Sequence, residues 1–375
     1  MYNMSSAKKI LILAEKPLQA VDYKKVISPK AKKHTGYFED DKYIITYSIG
    51  MLIGLVSDAS VYSPKYKNWN LKDLPIIPTT FKFAPTNPRA IRHIRILEKL
   101  FKRNDLLEVW IATDAGPVGE EIGRNIYHYF SCKVPMQRIW LSSLTPVAIR
   151  SAFSSPQPSS NYDTLYESAL ARSKADWLVG INITRAVSVH NKSTFPLHVG
   201  RVQTPTLSMM CSVEEQIQNF VEKDLYTPFV ETTDNKYIHN NILEDKNKAE
   251  IVKQDVIKNN NKLILSKVST ELHQIKPPQL YDLDNIQKEA NQKYGFPASK
   301  TLEILQELYQ VKKVISYPRT SSKFISSDVA KYLPNIVQSL SNRYQRETLP
   351  LLNTLPAITT RHVSNKGVTD HHAII

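Results

Sequence analysis

Between residues 8 and 150 the chain alternates short apolar runs with amphipathic stretches. Residues 8–14, 43–48 and 109–113 are dominated by aliphatic and aromatic side chains, the pattern of strands covered on both faces. Helical spacing of apolar positions follows over 90–102 and 120–130, so this part predicts an α/β sheet domain. Between them, 62–88 is rich in Pro, Lys and aromatics and reads as an ordered loop. A Ser/Pro cluster at 154–161 marks a boundary, after which 165–188 predicts a long helix with Leu170, Trp177, Ile181 and Ile183 on its apolar face. The stretch 197–213 opens with Gly-Arg and turns apolar and helical. Residues 220–273 break into short strand-like pieces separated by Asn, Asp and Lys, with a turn at 259–261. Two helices, 282–293 and 299–311, flank Gly295-Phe296-Pro297 and lead into a strand carrying Tyr317.

Composition narrows the class. The chain has 375 residues, 42% hydrophobic and 22% charged, values of a globular protein of about two to four domains. No apolar run has the length of a bilayer span, and Glu15 follows 8–14 too closely for a signal peptide, so no membrane association is expected. Lys and Arg number 49 against 35 acidic residues, a net charge of +14, which favours a polyanionic partner, nucleic acid first. Cys132 and Cys211 are the two cysteines, too few for a zinc ligand set or a disulfide framework; a reducing cytoplasm fits.

Candidate chemistry lies at the ends of the predicted elements. Tyr317-Pro318-Arg319-Thr320-Ser321 sets a phenol two residues from a guanidinium, a nucleophile beside a cation suited to a phosphodiester; a packed ring in a turn is the alternative. Glu15 and Lys16 end the first strand, where a carboxylate can hold Mg²⁺, protonate a leaving oxygen, or simply cap a helix. Asp114 and Glu120 flank a Gly-containing turn at a second strand end. Together with Glu15 they make a candidate hard-cation site, unless the glutamates only complement a helix dipole. Gly200-Arg201-Val202-Gln203-Thr204 is a polar loop opening a helix, a candidate phosphate cradle. Arg172, Asp176 and Arg185 are expected near one helical face, which with Trp177 forms a candidate contact to single-stranded DNA, or else a helix with an internal ion pair and a core tryptophan. His371, in Thr369-Asp370-His371-His372, is a candidate phosphate contact or an ordinary turn residue.

In their order along the chain these motifs resemble the type IA DNA topoisomerases, particularly the topoisomerase III branch of bacterial chromosomes and plasmids. The blocks that carry the resemblance are LILAEKPLQA, WNLKDLPIIP, ATDAGPVGEEIGR, IWLSSLTPVAIRSAF, ALARSKADWLVGINITRA, GRVQTPTLS, LYDLDNIQKEANQKYGF, ISYPRTSS and VTDHHAII. The resemblance implies an N-terminal Toprim-like α/β domain over 1–152, a helical DNA-binding domain over 153–215, a β-rich arch segment over 216–280, and a helical domain with the tyrosine over 281–375. It implies an ATP-independent cytoplasmic isomerase, nucleoid or plasmid associated, that cuts one strand, passes another and reseals. Tyr317 would hold the 5′ end as a phosphotyrosine, Arg319 would stabilise the phosphate, and Glu15 with Lys16 would serve the leaving group. Asp114 would bind Mg²⁺, with no zinc implied. Arg172, Asp176, Arg201, Gln203, Thr204 and His371 would contact single-stranded DNA.

The sequence departs from that pattern. Pro117 and Val118 stand where the metal turn has arginine and glutamate, Met51 replaces a histidine, and Ser321 replaces an aspartate. A weakened Mg²⁺ site is therefore expected. The chain stops at Ile375, short of the segments that would complete a ring, so exposed apolar surface and a second polypeptide completing the toroid are also expected. The alternative function is a catalytically impaired single-stranded DNA-binding remnant of such an enzyme. Other Toprim enzymes, primases or nucleases, lack the Tyr-Pro-Arg-Thr and Gly-Arg-Val-Gln blocks.

Overall fold

A computed structural model describes residues 8–353, 360–368 and 370–375. The chain divides into two compact units, one made of residues 1–200 with 278–375 and the other of 201–277.

The first unit is organised by a seven-stranded sheet. β1 (Lys9–Ala14) lies at its middle, flanked by β4 (Tyr43–Tyr47) and β7 (Leu106–Ala112), both parallel to it. Beyond β4 the antiparallel β3 (Tyr37–Glu39) and β2 (Lys32–His34) close one edge. Beyond β7 lie the parallel β8 (Met136–Arg138) and then the antiparallel β9 (Gln157–Pro158). A separate pair, β5 (Ile53–Leu55) and β6 (Phe83–Pro85), borders the 62–88 loop, which is ordered in short 3₁₀ turns.

Alternation along β1 feeds two cores. Leu11 and Leu13 pack with Ile94 and Leu97 of helix α2 (Ile91–Phe101) and with Ile122 and Ile126 of α3 (Pro117–Tyr129). Ile10, Ile12 and Ala14 face the opposite side, with Ala20 and Tyr23 of α1 (Pro17–Ile27) and Ile149 and Phe153 of α4 (Pro146–Ser154). A strand covered on both faces must be apolar throughout, which is why 8–14 is readable from sequence. Register then places the site: Ala14 pairs with Ala112, so the chain leaves both strands at the same edge of the sheet, with Glu15 and Asp114 just beyond.

α5 (Asp163–His190) is the long helix the pattern predicts, and it packs against α3. After residue 278, α8 (Leu283–Tyr294) ends on Gly295 in the left-handed region, and α9 (Ala298–Glu307) continues through a π-helical turn, Leu308–Lys312, that stops at left-handed Lys313. Tyr317 is not on a strand. The left-handed Lys313 and the missing N–H of Pro318 prevent a regular ladder. The segment is fastened instead by Ser316, whose N–H donates to Ile375 O (2.8 Å) and whose hydroxyl accepts from Ile375 N–H (3.0 Å).

The second unit holds α6 (Gln203–Gln218), an antiparallel hairpin of β10 (Phe229–Glu231) and β11 (Lys236–Ile238), and α7 (Lys246–Lys258). The hairpin agrees with the strand-like pieces expected there, but α7 does not. Asp245 caps that helix by accepting from Asn247 N–H, and its apolar positions Ile251, Val252, Val256 and Ile257 recur at helical intervals. α6 exposes Leu207, Met209, Met210, Val213 and Ile217.

Candidate active site

Glu15 begins the turn from β1 into α1. Its own N–H and that of Lys16 both donate to Gln19 Oε1 (3.0 and 3.2 Å), so a helix-capping contact shapes the turn. Asp114 ends the neighbouring strand, and its N–H donates to Glu15 Oε2 at 3.0 Å. The following turn needs two glycines. A Cβ on Gly119 would lie 2.1 Å from Asp114 O, and one on Gly116 would lie 2.4 Å from Asp370 Oδ1.

Three parts of the chain meet on Asp114. Lys16 Nζ donates to Oδ2 at 2.6 Å and lies 3.5 Å from Glu15 Oε1. Gln19 Nε2 donates to Oδ1. His371 Nε2 pairs with Oδ2 at 3.1 Å. Tyr317 rests on this cluster: its ring centre is 4.4 Å from the His371 ring, 4.0 Å from Lys16 Nζ, and 5.3 Å from Tyr309 in an edge-to-face contact. Arg319 is exposed beside Gln306, whose amide oxygen accepts from Nη2 (2.8 Å) and Nε (3.0 Å) once turned toward it.

Electrostatics separates the two carboxyls. Burial, reinforced by the charge of Asp114 and partly offset by Lys16, pushes Glu15 up to about 7. Burial alone would also raise Asp114, but the bonds and charges of His371 and Lys16 hold it well below the usual carboxylate range. Lys16 stays above its ordinary value, because Asp114 and Glu15 outweigh its burial. Asp370 is raised, chiefly by burial. One group is thus poised to be protonated near neutrality while its neighbour stays ionised.

Glu120 lies outside this cluster. It is 1% exposed, with Oε1 accepting from Arg124 Nε (2.6 Å) and Oε2 from Arg138 Nε (2.7 Å). Both of its oxygens are therefore engaged by guanidinium groups, which corrects its expected place beside Asp114 and Glu15 in a metal set. Val118, where the motif has another glutamate, points out of the first turn of α3, 52% exposed. Among the described residues no group of three or more His, Cys, Asp or Glu is arranged to hold a metal ion. Lys16 already bridges both carboxyls, and Gln19 and His371 occupy the rest of Asp114, so this arrangement does not fit a Mg²⁺ held by the chain itself.

The α5 candidates part company. Arg172 and Asp176 lie one turn apart and exposed, but Arg185 is buried, donating from Nη1 to Tyr66 O (2.8 Å) with its guanidinium 5.2 Å over Trp69. At 3.6 residues per turn, Arg185 is about 140° around the helix from Arg172, which explains why the three do not share a face. Trp177 is also taken up by packing. Its Nε1 donates to Val56 O (2.7 Å), and Tyr62 and Phe81 meet it edge-on, so it is not a free stacking platform. Arg201, Gln203 and Thr204 belong to the second unit, exposed at the start of α6.

Sequence reasoning missed Gln19, Arg138 and Asp370. The first has a signal, an amide three residues into a helix that begins at a functional strand end. Asp370 precedes a singled-out histidine. Arg138 has none, because nearly all its partners, on β7, the turn after it and α3, are distant in sequence.

A family model for DNA topoisomerase matches residues 160–375. The chain is 36% identical to DNA topoisomerase 3 of Bacillus thuringiensis (strain Al Hakam), over 98% of this chain and 50% of that protein. It is 34% identical to DNA topoisomerase 3 of Bacillus subtilis (strain 168), over 98% of this chain and 50% of the relative. The chain spans about half the length of the curated relatives it matches. Among solved structures, full-length topoisomerase I from Thermotoga maritima aligns with a TM-score of 0.55 at 22% identity, covering 89% of this chain and 52% of that one, a likeness of fold.

Proposed function

The chain belongs to the type IA DNA topoisomerase family, and from that membership we propose that Tyr317 is the nucleophile of a reversible DNA-strand cleavage. The observation that carries this reading is the convergence of Tyr317, His371 and Lys16 on the Glu15–Asp114 pair, from segments far apart in sequence. The Tyr317 hydroxyl releases its proton to solvent as its oxygen bonds to phosphorus, the bond to the 3′ oxygen breaks, and Glu15 supplies the proton that oxygen takes. Lys16, 4.0 Å over the Tyr317 ring, and Arg319, two residues along the chain, are the cations that offset charge on the phosphate in this reading. His371, tied to Asp114, contacts the phosphate. Resealing is the reverse attack by the 3′ hydroxyl, and passage of a second strand between the two events relaxes negative supercoils or unlinks DNA.

Arg172, Asp176, Arg201, Gln203 and Thr204 contact single-stranded DNA in this reading. Arg185 is left out, because Tyr66 and Trp69 engage its guanidinium. Magnesium is the cofactor general to the family. Lys16 stands between the carboxyls that would bind it.

The test uses the full chain with an end-labelled single-stranded oligonucleotide, followed by denaturation. A covalent adduct that disappears in Tyr317→Phe, with binding retained, supports the reading. Salt-sensitive binding with no adduct, with or without Mg²⁺, would leave only the DNA-binding remnant.

A further inference from the structure

Arg138, at the end of β8, is 1% exposed, yet each of its three guanidinium nitrogens donates to a backbone carbonyl or to Glu120. Nη1 donates to the carbonyls of Ile111 (3.0 Å), Thr113 (2.9 Å) and Ile139 (2.8 Å), Nη2 to that of Asp114 (2.7 Å), and Nε to Glu120 Oε2 (2.7 Å). Three of those carbonyls belong to the backbone that carries Asp114 out of β7. A planar guanidinium with its donors in fixed directions constrains that backbone in a way a single ammonium cannot. Glu120 neutralises the buried cation and keeps its plane in place. Arg124 holds the other Glu120 oxygen and continues outward to Asp163 (2.6 Å) and Ser159, with no hydrogen bond to the Asp114 turn.

We propose that Arg138, oriented by Glu120, is the positioning residue of the site. It fixes residues 111–114 so that the Asp114 carboxylate meets Lys16 and His371 beneath Tyr317. This rests on the proposed role of Tyr317 only for its kinetic readout.

The experiment compares Arg138→Lys with Arg124→Gln in the full chain. Arg124→Gln removes a cation from Glu120 and leaves the carbonyls of the turn untouched, whereas Arg138→Lys keeps a cation beside Glu120 and loses the fork that spans those carbonyls. Amide exchange is followed in peptides covering 111–116, together with oligonucleotide affinity and the rate of adduct formation at saturating oligonucleotide. Arg138→Lys is expected to slow adduct formation about a hundredfold with affinity within about twofold, and to raise exchange in the turn about tenfold. Arg124→Gln is expected to leave rate and turn exchange near wild type even where its thermal midpoint falls as far. Equal losses in the two variants, in proportion to stability, would reduce Arg138 to a structural residue and overturn the proposal. So would unchanged exchange in Arg138→Lys. If wild type forms no adduct, the reading of Tyr317 fails, and the exchange comparison still decides the brace. Should Arg138→Lys not fold, Glu120→Gln, which keeps an acceptor for Nε, is expected to move rate and exchange in the same direction; no movement overturns the proposal.

Discussion

The Asp370 carboxylate occupies the space in which a side chain at residue 116 would begin, 2.4 Å from where a Gly116 Cβ would stand. The turn after Asp114 therefore receives the segment carrying His371 only because it has no side chain there. Gly116→Ala should displace Asp370 and, through its neighbour, the His371–Asp114 contact at 3.1 Å. The overlap should lower stability by about 1–3 kcal/mol. Adding Asp370→Gly should recover much of that loss, as measured by thermal unfolding. Additive losses in the double variant would contradict the steric account.

Lys16 is the counter-ion of both carboxyls and lies 4.0 Å over the Tyr317 ring. Lys16→Ala removes the charge that stands where a divalent cation would bridge Glu15 and Asp114. Adduct formation should fall by about 10²–10³, and the residual activity should rise with added Mg²⁺, whereas wild-type cleavage should vary little between EDTA and Mg²⁺ at constant ionic strength. Wild-type cleavage that is abolished by EDTA would show that Lys16 yields its place to a metal.

Glu15 titrates near 7, raised above its ordinary value by burial and by Asp114. If Glu15 is the acid for the leaving oxygen, as proposed, it must be protonated, so cleavage should decline through pH 7 and above, by about tenfold per unit when the limb is fully developed. Glu15→Gln should remove that limb along with most of the rate. The same shift affects stability. Because the folded state holds the proton more tightly than the unfolded chain, the contribution of Glu15 is present at low pH and lost as pH rises through about 7. Asp114, held below its ordinary range, acts in the opposite sense, and its contribution disappears as pH falls. A pH titration of the unfolding midpoint in Glu15→Gln against wild type separates the two.

The strand ends were legible because a strand buried on both faces has almost no freedom in composition. Once 8–14 and 109–113 are taken as neighbouring parallel strands, Glu15 and Asp114 must emerge together. Helix 163–190 was legible by its spacing, but thirteen residues at about 100° each put Arg185 on a different face from Arg172, under the loop bearing Trp69. Glu120 looked like a metal ligand because nothing local reveals that Arg138, on the next strand, will be buried against it. The strand expected at Tyr317 failed for a backbone reason: its β-branched neighbours favour a ladder, and left-handed Lys313 and Pro318 interrupt one.

Asp328 ties the segment carrying Tyr317 to the sheet at a point away from the chemistry. Its Oδ2 accepts from Ser143 Oγ (3.1 Å) and Thr145 Oγ1 (3.0 Å), on the loop that follows β8. Burial would raise its pKa, but the hydrogen bonds from Thr145 and Ser143 help hold it below the ordinary value, so this contact is present at neutral pH and weakens as pH falls. If a second strand passes while the cut end stays on Tyr317, that segment must part from the sheet, and Asp328 resists the parting. Asp328→Ala leaves two hydroxyls without their acceptor and should weaken the docking by about 1–3 kcal/mol. Amide exchange over 316–329 should rise correspondingly, while exchange in β1 and β7 stays unchanged. Adduct formation should persist, since Asp328 touches none of Glu15, Lys16, Tyr317 or His371 in the hydrogen bonds it makes. Exchange that rises equally across the sheet would mean that Asp328 supports the whole unit rather than this closure.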